Sequence, residues 1–491
     1  MNDTIEITGK YTDATIHADR SMVDDTCLTQ VQGLTQHEAF RNKIELMPDA
    51  HAGAGAVIGF TMPLGDHICP NTVGVDVGCG MTAYNLGVDP VIEIADIDDS
   101  NELLRDADER IREAVPTGRK TFADTPTEQD YHIVDDFPWD VCADKCTSLY
   151  RNYDGVDRDA EVPDYGKEYF LDLCERVGYD VNRAINSIGT LGGGNHFIEL
   201  SKSDATGEYW VVVHSGSRGI GYAIADYWQE RAHENCDDRA PVVHQYLSGV
   251  PDWSYKFDLD DVSDVELLDW LQGGMGEDWK NTDEIADCLD GEEIGELIDQ
   301  LNDTARYVSE NSGGDELDYL DTDDLRAGYL ADMVFAQTYA RESRAQMCQA
   351  VADVFNAEVQ EVIVSTHNYI DTDDLVIRKG ATRVWEDERA IIPFNMADGA
   401  VIVRGRGNDD WHCSAPHGAG RRGSRTWAES EFSVGEFAES MDGVFSTSVS
   451  EATLDEAPMA YKDHNKILEY LDETAEVEET LTPICNIKAD Q

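Results

Sequence analysis

Positive charge is what this sequence has least of. Its 491 residues carry 37 Lys and Arg against 100 Asp and Glu, a formal net charge of −63. That balance leaves no broad basic face, so a polyanionic ligand would have to be met by local clusters of Arg and Lys. Acidic chains with few aromatic residues are often disordered. Here 41% of the residues are hydrophobic, with nine Trp and twenty Tyr, enough to build a core. The charge is therefore that of a folded protein whose surface is nearly all carboxylate. Such a surface repels itself in dilute salt and is screened in concentrated salt. The composition points to a cytoplasm with molar salt, as in extreme halophiles.

Other absences narrow the class further. No stretch approaches the roughly 18 apolar residues of a membrane span. The first residues, MNDTIEITGKYTDATIHAD, lack a basic start followed by an apolar run, so no signal peptide is expected. Cysteine is present but unpatterned: eleven residues, an odd number, with no CxxC pair. This suits a reducing compartment rather than a disulfide framework, and a cytoplasmic location is expected. Cys142 and Cys146 sit four apart with no matching pair, and read as ordinary thiols. No repeat, no Pro/Ser-rich linker and no regular βαβ alternation is visible, which favours α+β.

What is present concentrates in two regions. Residues 44–82 are Gly-rich and apolar, with a run TVGVDV that predicts a strand closing near Cys79. Residues 181–225 hold a second Gly cluster and then a strand, Trp210 to Val213, stopping at His214. A third strand, VQEVIVSTH, ends at His367, and Ile391–Ile392 suggest another. Apolar spacing predicts an amphipathic helix over 327–355, and an acidic helical elaboration over about 253–325.

Strand ends opening into Gly-rich loops are favoured places to gather ligands. Asp76, Cys79, His196, His214 and His367 all fall at such positions. A carboxylate, a thiolate and three imidazoles make a mixed set suited to Mn²⁺, Zn²⁺ or Co²⁺. Glycine runs lie beside the histidines: HAGAGAVIGF, GTLGGGNHF, HSGSRGIG and HGAGRRGSR. None matches a GxxxxGK[ST] phosphate loop, yet each can bring backbone N–H groups close to an anion. The scarce cations also cluster there. Arg421, Arg422 and Arg425 follow His417, Arg218 follows His214, and Arg378, Lys379 and Arg383 follow His367. That distribution suggests a phosphate-bearing substrate, with charge balancing of nearby carboxylates as the competing explanation.

Taken in order, MPDAHAGAG, VGVDVGCGM, GTLGGGNHFIE, HSGSRGIG, THNY, RKGAT, HGAGR and DEAPMAYKD resemble the signature blocks of RtcB RNA ligases, over nearly the whole chain. The resemblance implies one α+β domain over 1–491 with a central metal-binding cleft at strand ends. It implies two Mn²⁺ ions bridged by Cys79, one completed by Asp76 and His196, the other by His214 and His367. His417 would be the nucleophile guanylylated by GTP, with Asp49 orienting its imidazole. Asn195, His196, Phe197, Glu199, Asn368, Pro393, Asn395, Met396, Gly418, Ala419, Gly420 and Lys488 would surround the nucleotide, Glu199 and Lys488 through the guanine. The implied reaction joins RNA 2′,3′-cyclic-phosphate or 3′-phosphate ends to 5′-hydroxyl ends, in tRNA splicing or RNA repair. The implied protein is a monomer acting on tRNA halves or broken RNA, with an archease-type activator as a possible partner.

Several positions depart from the family pattern. Where PGSMG is usual, this chain reads Pro393-Phe394-Asn395-Met396-Ala397, and Ala400, Ser343 and Ala489 are also atypical. Replacing a turn glycine by Phe should send the backbone along another path, or fill the nucleotide pocket with a ring. The second outcome would favour a paralogue that keeps the two metals but acts as an RNA-end phosphoesterase, or a non-ligating RNA- or metal-binding protein.

The charge makes a direct prediction. Folding should require concentrated KCl or NaCl, because self-repulsion is weakly screened at ~0.1 M salt, where the Debye length is ~10 Å. Thermal denaturation across a salt series should show the melting temperature climbing steeply. Equal stability at ~0.1 M would remove the halophile reading.

Overall fold

A computed structural model describes residues 3–88, 100–122, 132–276, 278–310 and 314–489. The first strands in chain order are β1 (Ile5–Thr8), β2 (Asp13–Ile16), β3 (Ile44–His51), β4 (Ile58–Pro63), β5 (Gly80–Gly87), β6 (Phe197–Ser203) and β7 (Tyr209–Ser215). Then follow β8 (Glu361–Thr366), β9 (Asn368–Ile370), β10 (Val376–Lys379), β11 (Ala381–Arg383), β12 (Arg389–Asn395), β13 (Gly399–Gly405), β14 (Ser414–Pro416) and β15 (Ala475–Lys488). Seven form one sheet in the order β12-β13-β15-β6-β7-β5-β8. Six form a second, β1-β2-β3-β4-β10-β9, and β11 pairs with β14. Apart from the parallel pair β2–β3, these strands pair antiparallel, and helices do not alternate with them. The fold is α+β, as the sequence predicts.

Antiparallel pairing decides where the site can form. Neighbours run in opposite directions, so the starts of β5 and β6 share an edge with the ends of β7 and β8. The register makes this concrete: Phe197 opposes His214, Met81 opposes His214, and Gly80 opposes both Ser215 and Thr366. Residues just outside these four ends are therefore brought together whatever their separation in sequence.

The sheet is held by burial on the face away from that edge. The β-branched run Val211–Val213 suits a pleated, buried strand. Val211 and Val213 pack with Ile198, Leu200 and Ile487 against Met347, Val351 and Phe355. Each fully buried aliphatic side chain contributes roughly 1.5–3 kcal/mol. The last three come from or just follow a long helix, Asp323–Val354, whose start is capped by the Thr322 hydroxyl accepting from the Leu325 N–H. The helix begins four residues before the expected 327 because that cap and two acidic residues favour its first turn. Among the described residues no helix is long and apolar enough to cross a membrane.

One predicted strand does not form. Residues 72–77 are a 3-10 turn and bends, and the strand begins at Gly80, after Cys79 rather than before it. Gly74 (φ +88°) and Gly78 (φ +75°) take the left-handed conformation that an alternating pattern cannot reveal. At Gly78 a Cβ would also lie 2.7 Å from the Cα of Gln337, so the chain must be glycine to approach the long helix.

Residues 230–320 make a compact unit of their own. Its helices Arg239–Leu247, Asp264–Gln272, Thr282–Cys288 and Glu292–Glu310 surround a core that includes Val243, Leu267, Trp279, Ile285 and Leu301. Ser263 and Glu266 close a reciprocal capping box at the start of the second of these helices, and Gly273 ends it at φ +83°.

Candidate active site

The four strand ends deliver Cys79, His196, His214 and His367, and Asp76 reaches the same point from the turn before Cys79. Two ligand triads result, Cys79–His214–His367 and Asp76–Cys79–His196, each with its donor atoms within 4.8 Å of one another. Cys79 belongs to both. Its Sγ lies 3.3 Å from Nε2 of His214 and 3.7 Å from Nε2 of His196.

Hydrogen bonding around the rings shows what the cluster is made for. His196 places Nδ1 3.0 Å from the Leu191 carbonyl, and His214 places Nδ1 3.3 Å from the Asn195 carbonyl. A carbonyl only accepts, so each Nδ1 carries the proton and each neutral ring turns an Nε2 lone pair inward. There the Nε2 of His214 meets Nε2 of His367 at 3.3 Å, and the Nε2 of His196 meets Oδ2 of Asp76 at 3.0 Å. Acceptors face acceptors, which is satisfied by an added proton or by a cation. Burial presses the same way. It holds the His214 and His367 imidazoles well below their usual range, hence neutral. Burial opposes the Asp76 charge too, but with the added proton on His196 its hydrogen bond and charge outweigh burial and bring the carboxyl down to about 2. Burial, then the Asp76 charge, push the Cys79 thiol up. A divalent ion would reverse that last shift by binding the thiolate. The donor set fits two such ions sharing Cys79.

Beneath the cluster lies Arg344 of the long helix, fully buried. Its guanidinium donates to the carbonyls of Gly78 (2.7 Å) and Ser215 (2.9 Å) and to the Thr82 hydroxyl (3.2 Å), fixing β5 and β7, two of the four strands that deliver the cluster. The atypical Ser343 beside it accepts from the Gly189 N–H at 3.0 Å, tying down the loop before His196.

A cleft opens beside the cluster, lined by Asn195, Phe197, Glu199, Pro393, Asn395, Met396, His417, Gly418, Ala419, Gly420 and Lys488, together with His214 and His367. Of the expected nucleotide set, Asn368 stands outside it, its Oδ1 accepting from the Gly380 N–H instead, while His196 sits in the metal cluster. His417 is the reactive-looking group. Its Nδ1 lies 2.7 Å from Oδ2 of the fully buried Asp49, leaving Nε2 with a free electron pair. The His417 and His367 rings are 4.9 Å apart edge to face, so the lone pair and the metal cluster share one space. Gly420 (φ +71°) must lack a Cβ, which would lie 2.3 Å from the Asp49 carbonyl oxygen.

Residues not expected from sequence complete the cleft: His51, Glu456, Tyr461 and Asn486. Glu456 and Tyr461 lie in the DEAPMAYKD block, whose buried acid was a signal left unused. Lys488 is 2.9 Å from Glu456 and 3.2 Å from the Asn195 carbonyl. Burial works against the Glu456 charge, but Lys488, Arg421 and the Tyr461 hydroxyl bring its carboxyl down to about 2. Glu199 accepts from Ser201 (2.7 Å) and Asn486 (2.8 Å), yet burial pushes it up to about 7.

The clustered cations divide. Arg421 and Arg425 line the cleft. Arg218 (φ +58°) lies under Gly192, where any Cβ would meet its guanidinium at 1.9 Å, and so shapes the loop. Arg378 is fully buried on Asp371 and Asp374, and Lys379 donates to the carbonyls of Ala54 and Asn71. For that last group charge balancing and backbone support are the correct explanation.

The divergent loop is resolved as a bulge. Register between β12 and β13 shifts between Pro393 and Asn395, so Phe394 is the extra residue. Phe394 is 5% exposed and packs with Ile392, Val401, Val403, Ala419 and Ile467, its ring 5.3 Å from that of His464. Asn395 spends its amide on the turn, donating to Asp398 and accepting from the N–H groups of Ala397 and Asp398.

A family model described as tRNA-splicing ligase RtcB matches residues 30–258 and 291–489. The unmatched stretch between them falls inside the 230–320 unit. The RNA-splicing ligase RtcB of Escherichia coli (strain K12) is 28% identical over 451 residues, covering 91% of this chain and 90% of that one. RNA-splicing ligase RtcB1 of Escherichia coli strain ATCC 25922 is 29% identical with the same coverage. The tRNA-splicing ligase RtcB of Aeropyrum pernix is 22% identical over 92% of this chain and 90% of its own.

The shared position of Cys79 predicts unequal metal loss. Cys79→Ala removes a ligand from both triads and should release both ions, whereas His214→Ala should lose mainly one. Elemental analysis of the purified variants reads this directly. Unchanged metal in Cys79→Ala would exclude the bridging role.

Proposed function

Because the chain belongs to the tRNA-splicing ligase RtcB family, we propose that it is an RNA ligase that uses GTP and two Mn²⁺ ions to join 2′,3′-cyclic-phosphate or 3′-phosphate ends to 5′-hydroxyl ends. The observation that carries this reading is His417, its Nδ1 proton committed to Asp49 at 2.7 Å and its other nitrogen free beside the metal cluster. A neutral imidazole with one fixed tautomer is a nucleophile, not an acid. Asp76, Cys79, His196, His214 and His367 would hold the ions, which supply charge neutralisation at the phosphates.

The residues then divide the work. His417 Nε2 attacks the α-phosphorus of GTP, forming a P–N bond as pyrophosphate leaves. The Asp49 carboxylate balances the positive charge that develops on the ring. A cyclic phosphate is opened by water to a 3′-phosphate, whose oxygen takes GMP from His417. The 5′-hydroxyl of the second RNA end displaces GMP and forms the phosphodiester. Asn195, Phe197, Glu199 and Lys488 form the floor on which the nucleotide would lie, and Arg421 and Arg425 the cationic wall for its phosphates.

Packing of Phe394 into the apolar cluster favours ligation over the phosphoesterase reading. The cleft is lined but not filled by that ring, while the side chain at 395 has been withdrawn into a turn. A lost contact and an altered backbone path cost on the order of 1–3 kcal/mol, which is ten- to a hundredfold in affinity.

Incubation with Mn²⁺ and labelled GTP should yield an acid-labile, base-stable adduct that needs millimolar GTP and disappears in His417→Ala. Asn395→Ser should strengthen it. Phe394→Gly is the less clean variant, since emptying that core position costs roughly 3–5 kcal/mol. No adduct in the metal-loaded wild type at millimolar GTP would transfer the reading to phosphoester opening.

The Glu199 environment adds a pH dependence. Its folded carboxyl, near 7, stands above its unfolded value, so protonation favours the fold at low pH and that contribution fades as pH rises through about 7. Guanine offers N–H donors that only the ionised carboxylate accepts fully. GTP affinity should therefore rise between about pH 6 and 8, and Glu199→Gln should flatten the profile and lower affinity while stabilising the protein above neutrality. A pH-independent affinity in the wild type would remove Glu199 from guanine recognition.

A further inference from the structure

A second polar cavity lies beside β8, the edge strand whose end delivers His367. One wall is acidic but already neutralised. Arg383 pairs with Asp371 (2.8 Å), Asp373 (3.2 Å) and Glu388 (2.7 Å), and Asp371 is engaged again by Arg378 at 3.4 Å. The same cavity is lined by Lys145, from the helix Trp139–Asn152, and Arg341, from the long helix. Neither forms an ion pair with any described residue, although Asp371 and Asp373 are near enough for their charge to be felt at Lys145.

This is unusual in a chain with 100 acidic residues and 37 basic ones. A carboxylate is the cheapest neutraliser available to it, and none has been drawn in. Lys145 is held uncomfortably, since burial and then the charge of Arg341 both lower the affinity of its amine for a proton. Two like charges that repel across a cavity gain most from an anion placed between them. The adjoining strand adds one hydroxyl-bearing residue: Thr366 lines the cavity, whereas its neighbour Ser365, on the other face of the strand, is engaged with the Ile391 N–H at 2.9 Å. Two cations from two helices and a hydroxyl-bearing residue from a strand line one cavity, a donor set suited to a phosphate oxyanion.

We infer that this cavity binds a phosphate group between Lys145, Arg341 and Thr366, at a place separate from the nucleotide cleft. The phosphate could be free, or a backbone phosphodiester of bound RNA; the second source rests on the ligase reading, the first does not.

The test uses the full, metal-loaded chain at one fixed KCl concentration. Inorganic phosphate should raise the melting temperature of the wild type saturably. In the Lys145→Gln/Arg341→Gln double variant the apparent affinity should fall at least about tenfold, two charge-assisted contacts having been removed. Metal content should be unchanged and stability without phosphate no lower, because the variant removes a repulsion. The charge-keeping Lys145→Arg variant should retain the response. An equal response in the double variant would place phosphate elsewhere, and no response in the wild type would also overturn the inference. An oligoribonucleotide without terminal phosphates separates the sources. Weaker binding by the double variant assigns the site to the RNA backbone, and equal binding assigns it to free phosphate. A chain that shows the phosphate effect but forms no guanylyl adduct would keep this inference and lose the ligase reading.

Discussion

The constraint on which the site depends is a convergence of lone pairs with no protons between them. His196 and His214 have each given their one N–H to a backbone carbonyl, so what remains points at a thiol, a carboxylate and another imidazole. Such a group repels itself, and only a rigid frame keeps it assembled. The frame is the antiparallel register of β6, β7, β5 and β8 above a fully buried Arg344. Burial weakens the hold of Arg344 on its proton, the charges of Cys79 and Asp76 pull the other way, and the balance comes to about 10. The guanidinium thus serves as brace and as counter-charge, and the ligands could not be drawn apart without breaking its three hydrogen bonds.

The cleft shows how one environment can set two buried acids to opposite tasks. Glu456 is surrounded by Lys488, Arg421 and Tyr461 and stays ionised to about 2. Glu199, a short distance away on β6, has only neutral hydrogen-bond donors in contact and rises to about 7. Had Lys488 paired with Glu199 instead, the floor of the cleft would be a closed ion pair. Because Glu456 takes the ammonium, the Glu199 carboxylate keeps acceptor capacity for a ligand.

Several of the scarce cations sit inside this protein rather than on its surface. Arg344, Arg378, Lys379 and Lys488 are all buried, and all donate to backbone carbonyls or to buried carboxylates. An acidic exterior needs no partner but salt water, whereas a buried carbonyl or carboxylate needs a donor in place. Proximity in sequence to a histidine therefore identified Arg421 and Arg425 rightly as cleft residues, and misjudged Arg378 and Lys379, which support the backbone.

The sequence by itself determined the α+β class, the long helix, the strand leading to His214 and the five side chains that meet in the cluster. These are legible because each rests on local chemistry: β-branched runs, apolar spacing, and histidines where such runs stop. It also determined the pairing of His417 with Asp49, through blocks whose order identifies the family. Only the tertiary structure decided that residues 72–77 turn rather than extend, with positive φ at Gly74 beside the Lys379 side chain and at Gly78 where the chain approaches the long helix. Only it decided that Phe394 packs into an apolar cluster and lines the cleft without filling it, that Asn368 serves Gly380, and that Lys488 answers Glu456 rather than Glu199. Those outcomes turn on which groups compete for the same partner across hundreds of residues, and that competition has no signature in any window of the chain.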